Sequence, residues 1–200
     1  MNRNGYSAGG VKLSFWFMEF RKTISLLDEG KDWDAIKHLA VDENIYGCPT
    51  TARAKQIFIT VSARIKCLDP SFYQIFLTSD VSSQKLFALA AAMLQDTLFF
   101  DFVYEVVREK MILGMNEFSQ SDISIFFKDK AMQDEKVAEW TDATLVRLGR
   151  YYKTMLFEAG MTEKGKEFHK ISKPILDPLL SRWLEDYDMM PIVKALTGVR

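Results

Sequence analysis

Apolar side chains along this chain recur mainly at helical spacing. In residues 48–68, CPTTARAKQIFITVSARIKCL, the positions Ala54, Phe58, Val61 and Ile65 stand at i, i+4, i+7 and i+11, predicting one helix that buries that face. Thr50 or Thr51 is placed to cap it, just after the break at Gly47 and Pro49. Arg53, Gln56, Thr60 and Arg64 keep the same period on a neighbouring face, predicted to be exposed, with Lys55 and Lys66 beyond it. The stretch TDATLVRLGRYYKTMLFEAGM repeats the pattern. Thr141 or Asp142 is the cap, and Leu145, Leu148, Tyr152, Met155 and Ala159 form the apolar stripe. Arg147, Arg150 and Thr154 reproduce the spacing of Arg53, Gln56 and Thr60, and Gly160 closes the helix.

Between and around these two helices the pattern predicts further helices. Residues 13–28 are apolar on every helical face, so that helix packs on several sides, and Gly30 ends it. Trp33, Ile36, Leu39 and Ala40 form a stripe behind a cap at Asp32. Pro70 opens a short helix, and a broad apolar pattern over 81–113 reads as a central core helix broken near Gln95–Thr97 and ended by Gly114. Phe99, Phe100, Phe102 and Tyr104 are read as core. A helix after Ser119 buries Ile123, Phe126 and Phe127. Residues 161–171, with Lys164, Lys166 and Lys170 around Gly165, read either as a small β-wing beside the second basic helix or as a loop. The tail is amphipathic helix interrupted by Pro178 and Pro191, anchored intramolecularly by Trp183. The expected fold is all-α: helical bundles with two helix-turn-helix-like units, in an N-terminal domain over 1–113 and a C-terminal domain over 114–200.

Composition changes this picture little: 48% hydrophobic and 26% charged residues describe a globular chain with enough apolar surface for a substantial core. Charge changes it more. The total is −1, yet residues 49–68 hold four basic and no acidic side chains, 141–173 are net positive, and 69–140 are net negative. Such blocks matter for a polyanionic partner, because local potential steers encounter. Cys48 and Cys67 form no C-x-x-C pair, and His38 and His169 stand apart from them, so no metal site is expected. Two lone thiols fit a reducing, cytoplasmic setting. The longest apolar run, LFALAAAML, is too short to cross a bilayer, so no membrane role is expected. No G-x-S-x-G, H-E-x-x-H or Walker pattern appears. Asp134, Glu135 and Lys136 have the acid-x-lysine spacing of metal-dependent nucleases, but such sites sit on sheets, and these residues read as a solvated connector.

The pieces YSAGGVKLSFWFMEFRK, TTARAKQIFITVSARIKCL, FVYEVVREK, DISIFFKDKA, WTDATLVRLGRYYKTMLFEAGM and PILDPLL, with the positions around Trp33 and Asn44 and the terminal KALTG, resemble the BrxA family of BREX bacteriophage-exclusion systems. The resemblance runs along nearly the whole chain. It implies an all-helical cytoplasmic protein without enzymatic activity, similar to DNA-associating helical folds, working beside a BREX methyltransferase, an ATPase and a phosphatase-like subunit. It supplies no catalytic residue, cofactor or small-molecule substrate.

The residues themselves point to double-stranded DNA. Arginine and lysine displace counterions from phosphates, and threonine at a helix start offers hydroxyl and backbone donors to the same anions. The expected contacts are Thr50, Thr51, Arg53, Lys55, Gln56, Arg64 and Lys66 on the first helix, Arg147, Arg150 and Lys153 on the second, and Lys164 and Lys166 beside it. Arg53 and Gln56, near a helix start, are the best placed to touch base edges. The alternative is a protein–protein adaptor whose charged blocks dock other BREX subunits.

Overall fold

The computed structural model describes residues 4–200. From the N-terminus, a 3-10 turn at Ala8–Lys12 leads to α1 (Phe17–Asp28), α2 (Trp33–Val41), α3 (Thr51–Ile65) and α4 (Phe72–Thr78). Next come α5 (Val81–Gln95), α6 (Thr97–Phe102), a π-helical turn at Val103–Val107, and α7 (Arg108–Ile112). The strand β1 (Glu117–Ser119) precedes α8 (Gln120–Gln133), α9 (Glu135–Ala138) and α10 (Asp142–Glu158). Strand β2 (Phe168–Lys170), α11 (Pro178–Asp186) and α12 (Met190–Thr197) complete the chain.

The caps explain several of these boundaries. Thr50 accepts a hydrogen bond from the Arg53 amide, Asp32 from Ala35, and Thr141 from Thr144, each satisfying an amide that the first helical turn leaves open. Ser119 and Asp122 form a reciprocal capping box at the start of α8. Asp96 lies at the predicted break and caps α6, where the chain turns by 114° from α5 into the rod over Thr97–Ile112. No single helix is long and apolar enough to cross a membrane, and α5 and α6 are lined with buried side chains.

One expectation about these elements is corrected. The helix predicted over 13–28 starts only at Phe17; residues 13–16 are not helical, with Trp16 in the left-handed region at φ 51°. Phe15 and Trp16 are instead buried in the core cluster to which α3 and α5 contribute. The larger cluster of buried residues draws side chains from both 1–113 and 114–200, and a smaller one gathers Ile36, Ala40 and Phe58. Phe99, Phe102, Phe126 and Phe127 gather around Tyr152 of α10. Phe72 and Phe87 pack on Trp183 of α11, whose indole Nε1–H donates to Ser71 Oγ at 3.0 Å and ties the tail to the start of α4. Each such ring contributes about 1.5–3 kcal/mol by leaving water, and the aromatic packing runs across the expected boundary.

Candidate nucleic-acid interface

The two basic helices predicted from the same pattern have opposite surroundings. On α3 the face of Arg53, Gln56, Thr60 and Arg64 is turned inward. The chain from Lys12 to Trp16 lies across it. Arg64 is 1% exposed; its Nη1 donates to the Phe15 carbonyl at 2.7 Å and its Nη2 to the Tyr151 hydroxyl at 3.2 Å. It therefore leaves the set of expected DNA contacts. Gln56 donates to the Lys12 carbonyl at 3.1 Å and accepts from Arg53 Nη1 at 2.9 Å, while the Arg53 guanidinium lies 4.9 Å from the Trp16 ring centre. Thr60 is buried and returns its hydroxyl to the Gln56 carbonyl. Thr50 is occupied as a cap, and Lys66 sits over Trp33 at 4.7 Å. Thr50, Thr51, Lys55 and Lys66 all remain exposed.

The cluster under α3 is polar as well as buried. Asp96, at the α5–α6 corner, has its carboxyl raised to about 6 because burial penalises its charge more than the Phe99 amide and the positive Arg64 relieve it. Nearby, Asp101 is 2% exposed, accepts from Tyr6 at 2.6 Å and lies 3.5 Å from Lys130 Nζ, which also reaches Glu105 at 2.6 Å. Burial lifts the Tyr151 and Tyr152 phenols above their ordinary range, so both stay neutral. These groups hold α3, α6, α8 and α10 in fixed relation.

On α10 the corresponding face is open. Leu148, Tyr151, Tyr152 and Met155 are buried, whereas Arg147, Arg150 and Thr154 are exposed. Neither arginine has an ion-pair or side-chain hydrogen-bond partner among the described residues. Gly149 brings this helix close to α8, since a β-carbon there would stand 3.0 Å from Ile123 Cγ2. Lys153 is half-buried and donates to Gln120 Oε1 at 3.0 Å; burial first, then the charge of Arg150, holds its ammonium below the ordinary lysine range.

The chain after α10 resolves the choice left open for 161–171. Thr162 bridges Ile171, the Glu163 amide donates to the Lys170 carbonyl at 2.9 Å, and β2 pairs antiparallel with β1 on its other edge, with Phe118 opposite His169. Residues 163–167 thus form the tip of a small β-wing that carries Lys164 and Lys166. Gly165 is required there, because a β-carbon would fall 1.7 Å from the Phe168 carbonyl oxygen. One residue of β2 feels a charge on α10. His169 stacks on Phe118 at 5.4 Å, and burial and the Lys153 charge keep its imidazole below the usual value. Lys153 of α10 thus lies close enough to both Arg150 and His169 of β2 to perturb them or be perturbed by them. Among the described residues, no group of three or more His, Cys, Asp or Glu is placed to hold a metal.

The chain is similar to known proteins. The family model of BrxA matches residues 4–188. The chain belongs to the BrxA family. A BREX protein BrxA from Bacillus cereus (strain H3081.97) is 37% identical over 161 residues, covering 80% of each chain. A crystal structure of an uncharacterized protein from Magnetospirillum magneticum superposes with a TM-score of 0.81 over 97% of this chain and 99% of that one, at 19% identity, which shows a shared fold.

In this BrxA-family chain two contributors to the basic side are not identified by the sequence pattern. Gln120, which positions Lys153, is the first residue of α8, and the Ser119–Asp122 capping box is the available signal. Strand β1 has none, since three residues carry too little alternation to register.

Proposed function

We propose that this BrxA-family chain is a non-enzymatic, DNA-binding accessory protein of a BREX phage-defence system, with other BREX proteins as its partners. One observation carries the reading: α10 exposes Arg147 and Arg150 with no ion-pair or side-chain hydrogen-bond partner among the described residues. The order β1, α8, α9, α10, wing is that of a helix-turn-helix unit with an attached β-wing, and α10 occupies the reader position. Inserted into a major groove, Arg147 and Arg150 reach base edges or flanking phosphates, while Lys153, Lys164 and Lys166 neutralise the backbone alongside. Contacts of this kind are mainly electrostatic, so sequence preference is weak and salt dependence strong. Family membership supports the defence role, and the open basic face supports DNA as what the protein acts upon.

The test is fluorescence anisotropy with a labelled duplex of arbitrary sequence at low salt. The wild-type chain is expected to bind, and Arg150→Glu to weaken binding by roughly tenfold or more. No binding by the folded wild-type protein would reject the reading in favour of an adaptor.

A further inference from the structure

The side of α8 that faces away from α10 carries a second, chemically opposite surface. Between α8 and the α6–π–α7 rod lies a groove of about 400 Å³ whose lining includes Val106, Glu109, Leu113, Met115, Ile125 and Asp129. Leu113 is 69% and Ile125 58% exposed, and Met132, two turns beyond Ile125 on the same stripe, is 73% exposed. Apolar side chains of this size, adjacent and unburied, mark an interaction surface. The rim is acidic. Glu105, Glu109, Asp122 and Asp129 line it against a single ammonium, Lys110. Three of these carboxylates hold internal cations: Glu105 binds Lys130, Glu109 binds Arg108 and Asp122 binds Lys110. Lys130 and Arg108 lie beneath the surface, at 5% and 9% side-chain exposure, whereas Glu105 and Glu109 keep 46% and 50%. Solvent therefore meets carboxylates while their cations lie beneath.

From this geometry we infer that the groove between α7, with the π-helical turn before it, and α8 docks an amphipathic helix of a partner protein, one with an apolar stripe flanked by lysine and arginine. The apolar floor takes the i, i+3, i+4, i+7 face of such a helix, and the rim pairs with its flanks. The same rim repels nucleic acid, which excludes DNA as the occupant and keeps the groove distinct from the α10 face. On α8 the groove residues Asp122, Ile125 and Asp129 stand about half a turn round from Gln120, Ile123 and Phe127, which face α10, so both surfaces can be occupied at once. The inference is independent of the DNA-binding proposal.

The experiment uses a synthetic amphipathic helical peptide with leucine on one face and lysine on the other, and a matched peptide with every lysine changed to glutamate. Isothermal titration of the full chain is expected to show binding of the basic peptide, with the acidic one at least tenfold weaker. Ile125→Glu is expected to weaken the basic peptide at least tenfold, Asp129→Lys to reverse the preference between the two, and neither to change duplex DNA affinity. Equal affinity for both peptides, or binding of the basic peptide unaffected by both substitutions, would overturn the proposal. So would a wild-type dimer that Ile125→Glu converts to monomer in sedimentation, since a second copy would then be the occupant.

Discussion

Helices α3 and α10 carry the same spacing of basic and polar side chains, yet one turns that face into the core and the other leaves it open. What separates them is a segment remote in sequence. The backbone from Lys12 to Trp16 covers α3, giving Arg64 a carbonyl, Arg53 an indole and Gln56 a second carbonyl. Nothing comparable among the described residues covers Arg147 and Arg150. A basic stripe is thus an interface only where the rest of the chain leaves it uncovered. On α3 the cations stabilise the fold; on α10 they are free to meet a ligand.

Substitutions divide along the same line. The largest expected effect is Arg64→Ala, which removes a buried side chain and leaves the Phe15 carbonyl and Tyr151 hydroxyl without their donor. Chemical denaturation should show a loss of about 3 kcal/mol or more, with Arg64→Met recovering the part owed to packing. A loss of DNA affinity without a loss of stability would break the comparison.

Next is the pH dependence of the buried side. Because the Asp96 carboxyl titrates at about 6 in the folded chain, above its ordinary value of 3.8, the native state holds that proton more tightly than the unfolded chain. Stability contributed this way is fully present below about pH 4 and falls as pH rises through about 6, by about 2–3 kcal/mol. Asp96→Asn keeps a helix cap and should flatten this component in denaturation curves measured between about pH 4 and 8.

On the open side, Arg150→Ala should leave stability within about 0.5 kcal/mol and weaken duplex binding by about 1–3 kcal/mol. Gly165→Ala should deform the wing tip, lowering DNA affinity severalfold with little change in the thermal midpoint. The smallest effect belongs to Lys55→Ala, which should change neither stability nor DNA affinity beyond error, because the side chain is exposed and belongs to α3 rather than to α10.

Much of the fold was legible because periodicity and caps agree. Asp32 and the break beside Asp96 were readable, Thr50 and Thr141 were each one of two candidate caps, and the Phe99 and Phe102 core and the docking of Trp183 were readable too. The site was half legible. A helical period identifies a polar face but carries no information on what crosses it, and Arg64 is satisfied by a carbonyl and a phenol rather than by a carboxylate, so no partner charge marked it as internal. For the same reason Phe15 and Trp16 read as part of a helix rather than as the cover of another. The wing was readable as one of two options, and pairing with β1 decides between them.

The most direct test of this division is the salt dependence of duplex binding, measured by anisotropy for the wild type, for Arg147→Ala with Arg150→Ala, and for Lys55→Ala with Lys66→Ala. The α10 pair is predicted to reduce the slope of log affinity against log salt by about 1.8, or about 0.9 for each phosphate left without its cation, while the α3 pair leaves it unchanged. A slope unaltered by the α10 pair, or reduced as much by the α3 pair, would contradict the account.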